Sequence, residues 1–486
     1  MAQELISSLE PKALFGRFAK LVSIPRISGH EGAAAAWIMD FAKERSLPCR
    51  RDGAGNVIVK APASRGRESA PGVILQAHMD MVPAAASGVS HDFLKNGIEA
   101  YAEDGWLKAR GTSLGADDGL GVCTILAILD DKELRHGPVT AIFTVEEETT
   151  MKGALAITKD DLKDASCLIN LDSEDSGYVF TGCAGSCDAN LALPLEHVAT
   201  PGCLTLRLSF TGFLGGHSGS DIALGRANAI KAAAQALLSV YADHEFFIVD
   251  LEGGRARNSI PSSCTATVNV PSESVDGFKS ALNDAARRIA SEYHDADPAI
   301  KVGISEQGSA ECALSSECTI VLLDLINALP SNALRFHDEA RTLVETSCNL
   351  GSVRLDADDA LLLLMPRSLT DEGLEGAMSA IASCASLAGA DYEFKNRHDC
   401  WLSPADSPLV KSLSSAWQKV AGAPLQNAVI HAGLECARFH SICPKLQMAS
   451  IGSTIKSPHS PMEQASAKDA AMVLKALGLA LEALSE

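Results

Sequence analysis

One apolar segment that ends in a histidine and an aspartate constrains the fold of this chain more than any other feature. Residues 73–77 predict a buried β-strand, and His78 and Asp80 follow it directly. Residues two apart on a strand point to the same side. The segment therefore delivers an imidazole and a carboxylate together at the carboxyl end of a strand, where open α/β sheets bind their ligands.

Strand and helix patterns alternate on both sides of this segment. A helix with the spacing expected for packing on a sheet is predicted at 120–130, and the alternation predicts a mostly parallel sheet flanked by helices. The same pattern returns in the last part of the chain. The other predicted strands are 56–60, 139–145, 167–171 and 446–451, and the later predicted helices are 409–421 and 465–484.

The segment between these two regions has a different, α+β pattern. Its order of helices and strands recurs after residue 309, which favours two similar halves although no residue-level repeat is visible. We therefore predict an α/β catalytic domain formed by residues 1–185 and 396–486, with an inserted α+β domain at 186–395. A chain of 486 residues is expected to form two to three domains at about 150 residues each.

Charge and composition limit the kinds of binding partner and the cellular compartment that are expected. The formal net charge of −20 repels polyanions, which argues against nucleic acid and anionic membranes as partners. No apolar run reaches the roughly 18 residues of a membrane span, and charges interrupt the apolar positions near the amino terminus, unlike in a secretory signal. The 14 cysteines are scattered without a C-x-x-C pair, which favours free thiols and a cytoplasmic location.

Further acidic side chains follow turns and strands. Asp117 follows a glycine-containing turn, where it could cap the next helix or bind a metal ion. Three adjacent glutamates at 146–148 end a predicted strand, and their mutual repulsion fits either a solvated surface or a bound dication. Asp172 ends another strand. His459 lies between two prolines that restrict its loop, although a single loop histidine can also be incidental.

Each of these side chains alone has an ordinary structural explanation, but together they follow strands or turns of one sheet. Their side chains are therefore expected to meet at one edge. Carboxylates and imidazoles without a thiolate suit Zn²⁺, Mn²⁺ or Co²⁺. The sequence thus predicts a site for a pair of divalent metal ions.

Eight ordered motifs, spread over nearly the whole chain, resemble those of the M20 metallopeptidases. Within that family the chain is most similar to the bacterial aminoacyl-histidine dipeptidases, which implies a zinc-peptidase-like catalytic domain with an inserted lid domain. The motifs are QAHMDMV at 76–82, GADDG at 115–119, EE at 147–148, NLDS at 170–173, GGHSG at 215–219, RNSIP at 257–261, HAGLE at 431–435 and PHSP at 458–461.

The resemblance implies a ligand set for two metal ions. It assigns His78 and Asp172 to one ion, Glu148 and His459 to the other, and Asp117 to both. It also implies a cis peptide bond after the bridging aspartate. Zinc is the first expectation for the metal, with cobalt or manganese as alternatives.

The resemblance also implies three catalytic roles. Asp80 orients the imidazole of His78, Glu147 is the general base, and His217 in the inserted domain stabilises the oxyanion. The family usually reads Glu-Glu-x-Gly at the general base, whereas this chain reads EETT at 147–150. This departure leaves the register of the three glutamates open by one residue. Asp118 is a second departure, because related enzymes often carry asparagine there.

The expected substrates are dipeptides with a free C-terminal carboxylate, including Xaa-His dipeptides such as carnosine. The resemblance assigns Asn258, Arg367 and Gly433 to the binding of that carboxylate. A guanidinium suits this task because it binds carboxylates with two parallel hydrogen bonds. The inserted domain is expected to act as a lid. Relatives are commonly homodimers, so a homodimer is a further expectation.

Three alternative functions remain at this stage. An N-acyl amino acid deacylase or a carboxypeptidase would have the same metal centre and would differ in whether a free α-amine is required. A non-enzymatic metal-dependent binding protein is disfavoured, because every proposed ligand and the general base are present. A cysteine hydrolase would need an activated thiol, and Cys436, which directly follows Glu435 at the end of a motif, is the candidate.

Overall fold

The structure, a computed structural model, describes residues 6–339 and 342–486 and divides the chain into two compact units. The first unit comprises Met1–Cys183, Trp401–Val429 and Leu434–Glu486, and the second comprises Ala184–Cys400 and Ile430–Gly433. The first five residues of the predicted catalytic segment lie outside the described residues. Among the described residues, no helix is both long and apolar enough to cross a membrane.

A nine-stranded sheet forms the centre of the first unit. Its four middle strands run parallel to one another, as the sequence predicts, and the strands toward both edges pair in the antiparallel direction. In spatial order the strands are Cys49–Arg51, Val57–Ala61, Val139–Thr144, Gly72–His78, Ala165–Ser173, Gln447–Gly452, Tyr178–Cys183 and Trp401–Leu402, and Gln426–Ile430 also pairs with Tyr178–Cys183.

Helices cover this sheet. The helix Ala116–Asp130 is buried along nearly its whole length, because it is apolar on every side and packs within the core. A small four-stranded sheet completes the unit, with the strands Ala100–Glu103, Trp106–Ala109, Ile455–Lys456 and Gln464–Ser466. The other helices of the unit are Lys12–Leu21, Gly32–Glu44, Glu147–Thr150, Lys152–Ala156, Lys159–Leu162, Pro408–Ala421, Glu435–Ile442 and Ala467–Leu484.

The second unit contains an antiparallel nine-stranded sheet with its own apolar core. In spatial order its main strands are Lys301–Gly308, Cys203–Thr211, Cys264–Pro271, Phe247–Gly254, Val344–Leu355, Asp359–Ser368, Gly185–Pro194 and Asp391–His398, and Asn332–Phe336 pairs with Val344–Leu355. The long helices are Ala229–Tyr241, Val275–Glu292, Ser316–Ala328 and Asp371–Ala388. Short strand pairs are His197–Ala199 with Cys312–Leu314 and Gly216–His217 with Ser259–Ile260, and 3₁₀ turns span Ile222–Leu224 and Ser272–Ser274.

The two halves of this sheet repeat one order of strands around the pair Phe247–Gly254 and Val344–Leu355. From the outer edge inward, each half contains its last strand, its first, its third and its second. The first strand of the later half, Gly185–Pro194, precedes the whole earlier half in the chain. For this reason the sequence pattern after residue 309 shows only part of the second half.

Candidate metal centre

Parallel strands bring the first candidate ligands to one edge of the sheet in the first unit. His78 is the last residue of Gly72–His78, and Asp172 is near the end of the neighbouring strand Ala165–Ser173. Asp117 lies at the start of the segment Ala116–Asp130, two residues after Gly115, which has a left-handed backbone with φ of 70°. The carboxyl ends of the parallel strands therefore form the base of the site.

Asp117 lies between two imidazoles. Its Oδ1 is 3.1 Å from His78 Nε2, and its Oδ2 is 3.0 Å from His459 Nε2. On the outer sides, Asp172 Oδ1 lies 3.2 Å from His78 Nε2, and Glu148 Oε2 lies 2.9 Å from His459 Nε2. The Asp117–Asp118 peptide bond is cis, as the resemblance implies. The five side chains thus form two three-residue groups that share one carboxylate.

The three adjacent glutamates point in different directions. Glu146 has a left-handed backbone with φ of 52°, and its Oε1 lies 2.5 Å from Lys152 Nζ. Glu147 and Glu148 instead lie with His78 in a group whose ligand atoms are within 4.8 Å of one another. Glu148 also lies in the group with Asp117 and His459.

Asp80 connects the imidazole of His78 to the segment that carries Glu147 and Glu148. Its Oδ1 lies 3.4 Å from His78 Nδ1 and accepts a hydrogen bond from the backbone N–H of Glu147 at 3.1 Å. Its Oδ2 accepts hydrogen bonds from Ser28 Oγ at 2.8 Å and from the backbone N–H of Glu148 at 3.2 Å. Burial opposes ionisation of Asp80, but His78 and these donors outweigh it and lower its pKa to about 2.

The electrostatics of the cluster favour positive charge at its centre. Burial lowers the pKa of His459, but hydrogen bonds with Asp117 and Glu148 outweigh burial and raise it to about 11. The pKa of Asp117 is lowered, because hydrogen bonds from His459 and His78 outweigh its burial. Burial is the largest cause that raises the pKa of Glu147.

These residues fit a pair of divalent metal ions. Two imidazoles and three carboxylates are the donor types that Zn²⁺, Mn²⁺ and Co²⁺ accept. Glu148 Oε1 is buried and has no hydrogen-bond partner among the described residues, although a buried polar atom normally has one. Bound dications would neutralise the excess negative charge of these carboxylates.

In the second unit, three of the predicted substrate and oxyanion residues lie close together around Ser218. The backbone N–H of Ser218 donates to the carbonyl of Asn258 at 2.9 Å, and Ser218 Oγ accepts from Arg367 Nε at 3.4 Å. His217 precedes Ser218 in the chain. Gly433 lies in the same unit beside Ala432, whose carbonyl accepts a hydrogen bond from the backbone of residue 184.

Arg367 is an unusual arginine because it is only 6% exposed. Burial lowers its pKa to about 10, and the charge of Asp188 opposes this effect. An arginine remains charged at this pKa, so the guanidinium is a buried cation. A buried cation of this kind suits an incoming carboxylate.

Hydrogen bonds fix the imidazole of His217. Its Nδ1 accepts hydrogen bonds from the backbone N–H groups of Gly219 and Ser220, each at 3.2 Å. A ring nitrogen that accepts two N–H groups carries no proton, so in the neutral ring the proton is on Nε2. His217 therefore offers Nε2–H as a hydrogen-bond donor.

Sequence reasoning missed several polar residues of both units. His431 is buried, its Nε2 lies 2.8 Å from Ser347 Oγ, and burial is the largest cause that lowers its pKa to about 3. Glu435 is fully buried and accepts a hydrogen bond from Thr144 Oγ1 at 2.8 Å. Both residues lie in the motif at 431–435, and this motif was the only available signal for them.

The comparisons with known proteins agree with this geometry. The profile of peptidase family M20/M25/M40 matches residues 74–483. The chain belongs to this peptidase family. Over 460 aligned residues it is 37% identical to the cytosol non-specific dipeptidase of Escherichia coli (strain K12). The aligned region covers 94% of this chain and 95% of that relative.

Solved structures show the same M20 fold. The aminoacylhistidine dipeptidase from Vibrio alginolyticus superimposes with a TM-score of 0.88 and 36% sequence identity, over 98% of each chain. An aminopeptidase from Bacillus cereus superimposes with a TM-score of 0.58 and 16% identity, over 98% of this chain and 99% of that one. At that identity the second match shows the fold alone.

Proposed function

We propose that this M20 peptidase is a metal-dependent dipeptidase that hydrolyses dipeptides with a free C-terminal carboxylate, Xaa-His dipeptides included. The observation that carries the proposal is the position of Asp117, whose two oxygens lie 3.1 and 3.0 Å from the imidazoles of His78 and His459. The relatives with more than a third of their residues identical, from Escherichia coli and Vibrio alginolyticus, are both dipeptidases and support the substrate class.

His78 and Asp172 would hold one divalent ion, Glu148 and His459 the other, and Asp117 both. Zinc is the first candidate, with cobalt or manganese as alternatives. When bound, such ions polarise a carbonyl and lower the pKa of water toward neutrality. Asp80 would keep His78 in the orientation that leaves Nε2 for the metal, because its carboxylate lies on the Nδ1 side of the ring.

Glu147 is the proposed general base. It would accept a proton from the attacking water and return it to the leaving amine. The backbone N–H of Glu147 donates to Asp80, so the base and the orienting carboxylate are connected directly. Burial raises the pKa of the Glu147 carboxyl, and a carboxylate with a raised pKa accepts a proton more readily than an ordinary one, which suits a general base.

The second unit would supply the oxyanion donor and the carboxylate site. His217 would donate Nε2–H to the oxyanion, since its Nδ1 is an acceptor. Arg367, Asn258 and Gly433 would bind the C-terminal carboxylate, with the buried guanidinium as the main contact. We propose that the first unit is the catalytic domain and that the second acts as its lid.

A cytoplasmic location is part of the proposal and is supported by the name of the relative from Escherichia coli. We further propose a homodimer. Light scattering coupled to size-exclusion chromatography tests the dimer, because a mass near the 50.9 kDa of one chain would contradict it.

A substrate panel on metal-stripped protein tests the function. Each of Zn²⁺, Mn²⁺ and Co²⁺ is added back, and the panel contains carnosine, other dipeptides, tripeptides and N-acetylated and C-amidated dipeptides. We expect hydrolysis of free dipeptides only after a metal ion is restored. Equal hydrolysis of N-acetylated substrates would indicate a deacylase, and no hydrolysis of any dipeptide would refute the proposal.

A further inference from the structure

One buried carboxylate binds the backbone of the turn that leads into Asp117. Glu463 is only 3% exposed. Its Oε2 accepts hydrogen bonds from the backbone N–H groups of Leu114 at 2.7 Å and Gly115 at 3.0 Å. Its Oε1 accepts from those of Ala116 at 2.7 Å and Asp117 at 3.4 Å. Four successive N–H groups therefore converge on a single side chain.

This arrangement is separate from the cap of the helix that follows the turn. The first N–H groups of a helix lack partners within it and are usually bound by a Ser, Thr, Asp or Asn side chain at the cap position. Here Asp117 and Asp118 have non-helical backbone angles, and Asp118 Oδ1 accepts a hydrogen bond from the N–H of Gly121 at 3.2 Å, as a cap does at the start of the regular helix. Glu463, more than three hundred residues later in the chain, instead binds the N–H groups of the turn that precedes this cap.

Glu463 also follows a candidate metal ligand by four residues. His459 lies 3.0 Å from Asp117 Oδ2 through its Nε2. The loop that carries His459 thus binds the backbone that carries Asp117. Two ligands from distant parts of the sequence are connected through one carboxylate as well as through their own contact.

Arg26 binds the same turn from its carbonyl side. The guanidinium is buried and donates to the carbonyl of Gly115, and it also donates to the carbonyls of Met79 at 2.8 Å and Asp80 at 2.6 Å. The peptide groups of the turn are therefore bound through their N–H groups by Glu463 and through a carbonyl by Arg26. This binding leaves the position of Asp117 little freedom.

We propose that Glu463 is a positioning residue that fixes Asp117 relative to His459 and thereby sets the affinity of the metal centre. The inference rests on the proposed dinuclear site. It assigns Glu463 no contact with substrate or metal. Partners of this kind behind metal ligands typically change metal affinity or activity by about 10- to 100-fold when they are mutated.

A role in stability alone would have a different signature. Loss of a purely stabilising contact lowers the stability of the protein, but it leaves the affinity of a preformed site close to that of any equally destabilised variant. Glu463→Gln keeps the volume of the side chain and removes its charge. Its amide NH₂ would face two of the four backbone N–H groups, so about half of the hydrogen bonds would be replaced by repulsion between donors.

The experiment is a Co²⁺ titration of stripped protein, followed by visible absorption and calorimetry. The variants are wild type, Glu463→Gln and the control Val473→Ala, which removes buried methyl groups from the helix Ala467–Leu484 at a distance in sequence from every ligand. We expect two ions in the wild type and in Val473→Ala with similar affinities. In Glu463→Gln we expect the affinity for at least one ion to fall by about 10- to 100-fold.

The failures of the two proposals are distinguishable. Wild-type affinity at both sites in Glu463→Gln overturns the positioning role and leaves the dipeptidase proposal intact. Absence of metal binding in the wild type overturns both. If Glu463→Gln does not fold, hydrogen exchange on metal-stripped wild-type protein tests the positioning role instead. The amides of residues 114–117 should exchange slowly without metal, and exchange as fast as in exposed loops refutes the role.

Discussion

Replacement of Asp80 by asparagine should weaken metal binding and catalysis together, because one carboxylate serves both. Asp80 lies 3.4 Å from His78 Nδ1 and accepts hydrogen bonds from the backbone N–H groups of Glu147 at 3.1 Å and Glu148 at 3.2 Å. An asparagine offers one acceptor oxygen where the carboxylate offers two. At least one of the two N–H groups would therefore lose its acceptor and face an NH₂ group.

Two estimates that share the same hydrogen bonds give the size of the effect. A hydrogen bond to a charged acceptor contributes about 1.5–3 kcal/mol, so loss of one such bond corresponds to roughly a 10- to 150-fold change. The pKa of Asp80, lowered from 3.8 to about 2, corresponds to roughly 2–3 kcal/mol of preferential stabilisation of its ionised form in the folded protein. We therefore expect Asp80→Asn to lose about 10- to 100-fold in metal affinity.

The pH dependence of this contribution has a definite sign. A carboxyl group whose pKa is depressed by folding stabilises the protein at pH values above its unfolded pKa, and the contribution is lost as pH falls through the folded value. For Asp80 the loss would occur below the ordinary value of 3.8 and toward about 2. The difference in unfolding free energy between stripped wild type and stripped Asp80→Asn should therefore be nearly the same at about pH 5 and about pH 7.

Calorimetric metal titration and urea unfolding measure the two quantities, and Ser28→Ala is the matched control. Ser28 donates a single hydroxyl hydrogen bond to Asp80 at 2.8 Å, so its loss leaves the contacts to His78 and to the backbone unchanged. Ser28→Ala should lose less metal affinity and less unfolding free energy than Asp80→Asn. Wild-type metal affinity in Asp80→Asn would refute the orienting role, and a stability difference that vanishes at about pH 5 would refute the origin of the pKa shift.

Three further outcomes are expected. Glu147→Gln should keep both metal ions and lose about 10²- to 10⁴-fold in kcat, and a normal kcat would place the base elsewhere. Arg367→Ala should raise KM for free dipeptides at least about tenfold while C-amidated analogues change little, and equal losses on both would contradict the carboxylate role. Chelation should abolish activity and Zn²⁺, Mn²⁺ or Co²⁺ should restore it, whereas activity that persists in stripped protein would refute the metal requirement.

The ligands carried by the strands could be predicted because their positions depend only on residues close to them in the sequence. A strand that ends in His78-x-Asp80 places both side chains on one side by the geometry of the extended chain, and Asp172 follows the same rule. The helix predicted at 120–130 lies within Ala116–Asp130, and the strand predicted at 139–145 is Val139–Thr144. In these elements the apolar pattern alone determined the type of structure.

Residues that act on the backbone could not be predicted in the same way. Glu463 and Arg26 bind backbone N–H and carbonyl groups, which nearly every residue possesses. For this reason no side-chain pattern in the sequence identifies their partners. The antiparallel flanks of the first sheet were missed for a related reason. The strand Tyr178–Cys183 has the same apolar run as a parallel strand, and its direction depends on a pairing with Gln447–Gly452 far along the chain.

A row of polar side chains beneath the ligands explains why the central strands are not apolar throughout. Gln76 precedes His78 by two residues and Asn170 precedes Asp172 by two, so each points the same way as the ligand that follows it. Asn170 Nδ2 donates to Gln76 Oε1 at 2.6 Å, and Asn170 Oδ1 accepts from the backbone N–H of Asp172 at 3.2 Å.

The row continues to the carboxylate of Glu435. Gln76 Nε2 donates to Glu435 and also to Thr144 Oγ1, and Thr144 Oγ1 donates to Glu435 at 2.8 Å. Buried polar groups are costly unless they are bonded, and a connected network holds its members in one arrangement. At these positions a leucine or valine would bury more apolar surface but would leave the strand ends free to shift. The network thus reduces apolar packing in the core but fixes the directions of His78 and Asp172. A site built from separate strands requires such fixed directions.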